Sequence, residues 1–576
     1  MKIKKLEIKN YRNLDGLVVH FDDACNFIVG ENNIGKSNVL WLLNTLFSYR
    51  SFKADDFKKV DAPIEIALQL KLDDLELGLF QDLFDSTDHH LINIIAKQEN
   101  IDESILFFHK ETNTAIPASI VRCINFIHYD SLRNPIAEIN FDKGKGVGKF
   151  LSLIVAQYIE TNKISNSNFI DKKLLEDLLS TINNRTSKIK FFKDHKISAS
   201  QEENIETLLL RLITLKDANG ESLAKAGYGI QFLILVTLSI LEQLQIITQQ
   251  RKGRAVFENP AGNERAISLV LGLDEPEIHL HPYMQRSLVK YLNGIISNNN
   301  KDFTDLIKET FNIDKFIGQI IVVTHSPNII LDNYKQIARM FSEKNTLKAM
   351  SGSELTLDRQ IEKHVYLHFP FIKEAFFSRC AIFVEGDTEY ASFPILGEKI
   401  YADFDDLGIG VIQAGGEAVP QLIQIANSFG IPSVGITDRD DGKDAPKFPN
   451  HYQTSLRDFE EELITFMLTA SKENVLRKIV VDYDPRGTER VIQVNALNSR
   501  VSKQYKIFSA DYTTDLKLAD IQLSDIPNLK SFYLAWFSIN KSFPLGKLIG
   551  ETLSSDDVPP IYRKILEEAY KMAKNA

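Results

Sequence analysis

Gly30-Glu31-Asn32-Asn33-Ile34-Gly35-Lys36-Ser37 has the spacing of a phosphate-binding loop, with a glycine at each end of the turn and a lysine and a hydroxyl after it. It lies where such a loop must lie, between an apolar strand pattern, Cys25 to Val29, and a helical pattern, Lys36 to Leu46. There, successive backbone N–H groups wrap phosphate oxygens, the Lys36 ammonium neutralises the β and γ oxygens, and the Ser37 hydroxyl holds Mg²⁺. Gly30, Asn32, Asn33, Gly35, Lys36 and Ser37 are therefore expected to line a nucleotide site. Two further strand patterns, Lys2 to Ile8 and Leu17 to Phe21, precede it, as at the start of an α/β domain.

Working outward, Ile267-Ser268-Leu269-Val270-Leu271-Gly272-Leu273-Asp274-Glu275-Pro276-Glu277 is a buried-strand pattern ending in carboxylates, as a Walker B motif does. Asp274 is expected to order the Mg²⁺ shell and Glu275 to orient an attacking water. The next strand pattern, Gln319 to Val323, runs into Thr324-His325-Ser326-Pro327, which makes His325 the expected γ-phosphate sensor. These motifs, in this order, predict an ABC-type ATPase over residues 1–375. Ser222-Leu223-Ala224-Lys225-Ala226-Gly227-Tyr228-Gly229-Ile230-Gln231 is its candidate signature segment, in degenerate form. One chain carries one P-loop and one signature, so the active ATPase is expected to be a homodimer or a higher homo-oligomer. ATP is expected to act as a gate rather than as the fuel of a fast motor.

From about residue 140 to 206 the pattern turns helical and polar, which predicts a helical insertion; its part in dimerisation is what the family resemblance given below implies. Its basic and aromatic cluster, Arg185, Lys188, Lys190, Phe191, Phe192, Lys193, His195 and Lys196, suits either a phosphate track or a solvated charged face.

The chain has 576 residues, 44% of them hydrophobic and 25% charged, enough for two or three cores. Its net charge of -10 means that nucleic-acid binding needs local basic surfaces. Three scattered cysteines, Cys25, Cys123 and Cys380, give neither a disulfide framework nor a zinc site, which fits a reducing, cytoplasmic compartment. The N-terminus alternates like a strand and lacks a signal-peptide core. The longest apolar run, Phe232 to Leu241, falls short of the roughly 20 residues of a membrane span and is expected within an amphipathic helix.

A new β-α alternation begins after Ser378, so the second domain is placed at 376–576, with a helical C-terminal region. Cys380-Ala381-Ile382-Phe383-Val384 reads as a strand, followed by Glu385-Gly386-Asp387-Thr388-Glu389. Gly386 permits a tight turn into a helix. Glu385 then stands at the strand's C-terminal edge, with Glu389 one helical turn away. A later strand, Pro432 to Thr437, ends in Asp438-Arg439-Asp440-Asp441, whose alternation sets Asp438 and Asp440 on one side. Carboxylates gathered at adjacent strand ends call for a divalent cation, Mg²⁺ or Mn²⁺.

A strand-Glu-Gly segment followed by a strand-Asp-x-Asp segment is the Toprim pattern. With the P-loop at Gly30, Asp-Glu-Pro-Glu at Asp274 and Thr-His-Ser-Pro at Thr324, nearly the whole chain resembles the OLD (overcoming lysogenisation defect) family of ATPase-Toprim nucleases. That family includes the nuclease subunit of Gabija-type phage defence. The resemblance implies metal-dependent nicking or double-strand cleavage of DNA, regulated by a dimeric ATPase. It implies metal ligation by Glu385, Glu389, Asp438 and Asp440, completed by Glu460 or Glu462. It implies a transition-state lysine near the C-terminus, with Lys547 the first choice and Lys541 the second. The implied partners are double-stranded DNA, a second copy, and a helicase or other defence subunit. The competing function is a nucleotide-switched DNA clamp or repair scaffold, akin to RecF and SMC proteins, without nuclease chemistry. A topoisomerase would need a separate tyrosine-bearing breakage domain, for which the residues after 376 leave no room.

Overall fold

The computed structural model describes residues 1–576 except 82, 84, 86, 131–153, 155–160, 162–171, 202–212, 218, 222–224, 226, 251–254, 260–263, 279, 417, 440–447, 506–511 and 576. The chain divides into two compact units. The first is Met1–Leu331 with Lys335–Met340 and Thr346–Glu354; the second is Asp332–Tyr334, Phe341–Asn345 and Leu355–Ala576.

In the first unit the strand Cys25–Gly30 is buried at all six residues. It pairs in parallel with Lys315–Val323 on one side and with Ile337 to Met340 on the other. Arg265–Asp274 lies parallel to Lys315–Val323, and Asn125–Tyr129 lies parallel to Arg265–Asp274. Such strands are covered on both faces, which is why their sequences are almost unbroken apolar runs. Because they run parallel, Gly30, Tyr129, Asp274 and Val323 all reach the same edge of the sheet.

A second, antiparallel sheet includes Lys2–Lys9, Ile64–Lys71 and Leu91–Gln98. Strict alternation marks it as a sheet with one buried face: Ile64, Ile66, Leu68 and Leu70 are buried, and the residues between them are partly exposed. The P-loop helix Lys36–Ser48 shares a core with this sheet through Leu40, Leu43 and Leu46, which cluster with Ile66 and Ile94. Each fully buried leucine contributes about 1.5–3 kcal/mol by burial. The loop that the helix follows is thereby held on a rigid base.

The helix Tyr228–Gln245 departs from the amphipathic expectation. Over Gly229–Thr248 it is long and apolar enough to cross a membrane, yet 67% of that window is buried inside the structure. Leu233, Ile234, Leu235, Val236, Leu238, Ile240 and Leu241 are all enclosed, and the Tyr129 hydroxyl donates to the Val236 carbonyl at 3.0 Å. A helix buried over two-thirds of this window needs only a small polar surface, and the polar residues Glu242, Gln243 and Gln245 gather at its C-terminal end. Of the expected helical insertion, helices Lys172–Thr186 and Lys190–Asp194 and strand Ser198–Gln201 are described; most of the rest lies outside the described residues.

The second unit is built on a parallel sheet in the order Ile409–Gln413, Cys380–Val384, Ser433–Thr437, His451–Gln453. Cys380–Val384 and Ser433–Thr437 are neighbours and buried throughout, which brings their C-terminal ends side by side. Helices Phe459–Thr469, Ile526–Asn540, Phe543–Thr552 and Pro560–Asn575 join one core with this sheet through Leu463, Phe532, Leu545 and Tyr562. The helix Arg359–Ile372 also belongs to this unit.

Candidate nucleotide and metal sites

In the first unit the edge that carries Gly30 opens into a cleft of about 650 Å³, lined by Asn32, Asn33, Gly35, Lys36, Ser37, Glu275 and His325 together with Asn13, Asn38, Glu277 and Ile278. Two glycines shape the loop. Gly30 has φ +135°, and a Cβ there would sit 2.1 Å from the Met340 carbonyl oxygen; Gly35 has φ +95°, and its Cβ would strike the Asn13 amide. No L-residue with a side chain fits either position.

Lys36 Nζ donates to the carbonyls of Gly30 (2.9 Å) and Glu31 (2.5 Å), so the ammonium already lies within the loop's curve. Burial pushes Lys36 down to about 8, against the raising pull of Glu275, Asp274 and Glu277. The Ser37 hydroxyl donates to Asp274 Oδ1 at 2.9 Å, uniting the two groups expected on one Mg²⁺. Burial pushes Asp274 up to about 6, with Ser37 opposing and the charges of Glu275 and Asp130 adding. A cation on Asp274 would relieve that cost, so the residues present fit a nucleotide–Mg²⁺ complex.

Glu275 follows the strand with a positive φ of 46°, a left-handed conformation rare outside glycine and asparagine. Its amide donates to the Val323 carbonyl at 2.9 Å, and its carboxylate lies 3.2 Å from His325 Nε2. Burial, and then the charge of Lys36, hold His325 below the ordinary histidine range.

Sequence patterning did not single out three residues of this site. The Glu277 carboxylate accepts from the Thr324 hydroxyl (2.8 Å) and the His325 amide (2.6 Å), tying the Walker B segment to the histidine turn. Asn13 donates to the Ile34 carbonyl at 2.9 Å and supports the loop from outside. Asp130, just past the strand Asn125–Tyr129, is near enough to Asp274 to raise it. Of the signature segment, Ser222, Leu223, Ala224 and Ala226 lie outside the described residues; Gly227 caps the helix that follows. In the basic cluster, Phe191 and Phe192 are buried, Lys188 pairs with Glu309 at 2.5 Å and Lys193 with Asp302 at 3.8 Å. Those ion pairs favour the solvated face over the phosphate track.

In the second unit Glu385 follows the strand Cys380–Val384, and Gly386 caps the helix Asp387–Ile400, which puts Glu389 in its first turn. The Asp438 amide donates to Glu385 Oε2 at 2.9 Å, joining the ends of the two parallel strands. Gly416 leaves room for this carboxylate, since a Cβ there would lie 2.3 Å from it. Glu389 and Glu460 are each 1% exposed and Asp438 is 8% exposed. The Lys541 ammonium donates to Glu460 Oε2 at 3.0 Å, and the Thr388 hydroxyl donates to Glu460 Oε1 at 3.1 Å.

Burial pushes Glu389 up to about 7, with Lys541 opposing and Glu460 and Glu385 adding. It pushes Asp438 up to about 9, with the charge of Glu389 adding. Burial and the charges of Glu460, Glu389 and Asp438 act on Lys541 in opposite senses, and the carboxylates win, raising it. Glu389 Oε2 and Asp438 Oδ1 are buried with no hydrogen-bond partner. Orphaned carboxylate oxygens in a desolvated, mutually repelling cluster are what a hard divalent cation would complete, so the donor set fits Mg²⁺ or Mn²⁺. Among the described residues no three such side chains already converge on one point, and Asp440 lies outside the described residues.

The structure separates the two lysines and the two glutamates between which the sequence left a choice. Lys547 stands 59% exposed on the helix Phe543–Thr552, 3.8 Å from Glu551 one turn along, while Lys541 is the lysine among the carboxylates. The helix Ile526–Asn540 packs on Phe459–Thr469, and Lys541 is its C-cap, so the capping residue is delivered to Glu460. Of the two glutamates left open, Glu460 meets Lys541 and Thr388, whereas Glu462 accepts from the Leu456 amide at 2.8 Å. Sequence reading passed over Asp458, pushed up to about 6 by burial and Glu460, which accepts from the Tyr505 hydroxyl at 2.8 Å. It also passed over Tyr562, fully buried with an unpartnered hydroxyl, and raised by burial and by Glu389 and Asp438.

A P-loop edge in one unit and a carboxylate-lysine cluster at parallel strand ends in the other define an ATPase joined to a Toprim domain. The model of the AAA ATPase domain family matches residues 1–190 and 147–330, and the chain belongs to that family. The model described as "Overcoming lysogenization defect protein-like, TOPRIM domain" matches residues 376–440. Endonuclease GajA of Bacillus cereus (strain HuB5-5) is 22% identical over 564 residues, covering 79% of each chain. The DNA replication and repair protein RecF of Oceanobacillus iheyensis is 43% identical over 60 residues, which are 10% of this chain and 16% of that one. Among solved structures, the C-terminal region of the Xanthomonas campestris pv. campestris OLD protein matches at 20% identity and a TM-score of 0.23, over 35% of this chain and 96% of that one.

Proposed function

We propose that this chain is a divalent-metal-dependent DNA endonuclease whose cutting is gated by the nucleotide on its ATPase unit. The observation that carries the reading is the cluster of buried Glu389, Asp438 and Glu460 beside the half-buried Glu385, with the Lys541 ammonium on Glu460. A structural ion pair needs one carboxylate per cation. The excess here, with two orphaned oxygens, suits a site completed by metal.

Glu385, Glu389 and Asp438 are the proposed ligands, with Asp440 from the Asp-x-Asp pattern. When bound, two cations supply an activated water and neutralise the leaving 3′ oxygen. Glu460 holds Lys541 beside the ligands, and the Lys541 ammonium offsets charge that builds on the phosphate. In the ATPase unit Lys36 neutralises phosphate, Ser37 and Asp274 hold Mg²⁺, Glu275 orients water, and His325 reads the γ-phosphate through its contact with Glu275. The similarity to an endonuclease over most of both chains supports the DNA substrate. Phage defence, a homodimer, a helicase or other defence subunit as partner, and a cytoplasmic setting belong to the same proposal.

The test is plasmid nicking and linearisation with Mg²⁺ or Mn²⁺, with and without ATP, by wild type, Lys36→Ala and Glu385→Ala. Glu385→Ala should abolish cutting while ATP binding persists, and Lys36→Ala should remove the response to ATP. Full cutting by Glu385→Ala would overturn the site. DNA binding without cutting under any metal would point to the clamp function instead.

A further inference from the structure

Beside the carboxylates, Tyr390 and Phe543 stand with ring centroids 5.9 Å apart and planes inclined by 52°. They are 37% and 48% exposed. Tyr390 directly follows Glu389, and Phe543 comes two residues after Lys541. The pair is thus tied through the backbone, within two residues on each chain segment, to the carboxylate-lysine cluster, and it lies at the surface.

Helix packing sets this arrangement. Where Phe543–Thr552 crosses Asp387–Ile400, a Cβ on Gly546 would lie 2.7 Å from the Thr388 carbonyl, and one on Gly550 would lie 3.1 Å from Ile395. The missing side chains let the backbones meet, which seats Phe543 against Tyr390 and draws the segment bearing Lys541 to the carboxylates. Lys547 is four residues beyond Phe543, on the same helical face and exposed. Two exposed rings near the proposed phosphodiester site, with Lys547 and its exposed partner Glu551 at 3.8 Å one turn along, form a surface with flat apolar faces and an ammonium that a phosphate could take over from the carboxylate. Stacking on aromatic rings next to basic groups is how proteins hold unpaired bases, whatever their sequence.

We propose that Tyr390 and Phe543 are a stacking platform for an unpaired nucleobase next to the scissile phosphate, with Lys547 on a flanking phosphate. The substrate class is then single-stranded or locally opened DNA. The proposal rests on the nuclease reading of the neighbouring cluster, but its test is a binding measurement that does not need cleavage.

The full chain carrying Glu385→Ala is titrated, with Mg²⁺ present, into a single-stranded oligonucleotide containing 2-aminopurine, and into the same oligonucleotide annealed to its complement. Stacking should quench the single strand on binding. Tyr390→Ala and Phe543→Ala should each weaken single-strand binding roughly tenfold and remove quenching. Tyr390→Phe should retain both, and melting curves like the parent's should accompany all three variants. Lys547→Ala should weaken binding and leave quenching in place. Unchanged single-strand affinity and quenching in the two alanine variants would overturn the platform. So would a loss of self-association on sedimentation with DNA binding intact, because a second copy would then be what covers the rings. Cleavage by the chain with Glu385 intact, followed in parallel, separates failure of the nuclease reading from failure of the platform.

Discussion

Lys541 Nζ lies 3.0 Å from Glu460 Oε2, across 81 residues of sequence, whereas Lys547 turns to Glu551 on the exposed side of its own helix. The first lysine sits where three carboxylates, Glu460, Glu389 and Asp438, raise its pKa; the second is an ordinary surface pair worth well under about 1 kcal/mol. This contrast transfers the proposed transition-state role from Lys547 to Lys541.

Lys541→Ala should therefore lower the cleavage rate constant by about 10²–10³-fold, the usual effect of removing one donor to a developing oxyanion. Lys547→Ala should leave that constant within about threefold and act on DNA affinity instead. Single-turnover cleavage at saturating enzyme separates the two effects, and a large loss in Lys547→Ala with little in Lys541→Ala would return the role to Lys547.

Metal-free stability should fall as pH rises. Burial raises Asp438 to about 9 and Glu389 to about 7, so between the unfolded carboxylate values near 4 and these values the folded chain holds more protons than the unfolded one. The contribution is complete below about pH 4 and is lost as pH climbs through 7 and then 9. Calorimetry in EDTA should show the second unit melting lower at pH 8.5 than at pH 6. Mg²⁺ should reduce that gap, and Asp438→Asn should shrink it without metal.

ATP with Mg²⁺ should raise the melting temperature of the first unit. Lys36 is already inside the loop's curve and Ser37 already contacts Asp274, so little rearrangement opposes binding. Lys36→Ala should remove the shift. Glu275→Gln should keep it while slowing hydrolysis at least tenfold, as read by phosphate release.

Tyr562→Phe should be neutral or stabilising by up to about 1 kcal/mol in the metal-free protein, because its buried hydroxyl has no partner to lose. Urea denaturation measures this. A loss above about 2 kcal/mol would mean that the hydroxyl is bonded in solution.

The sequence by itself determined whatever depends on a strand, a turn and a helix in succession. The apolar run Cys25 to Val29, the glycines at 30 and 35 and the helix from Lys36 make a phosphate loop through short-range geometry alone, and Cys380 to Glu389 places Glu385 and Glu389 by the same logic. The α/β class was readable too, since unbroken apolar strands alternate with helices. Only the tertiary structure decided which distant side chains join those local frames. Glu277 turned back to Thr324 and His325, Asp130 came near Asp274, Lys541 rather than Lys547 met Glu460, and Tyr390 came against Phe543. The physical reason is that helix packing depends on the shapes at the crossing. At Gly546 and Gly550 two absent side chains set how closely two helices approach, and no periodicity along the chain encodes that distance.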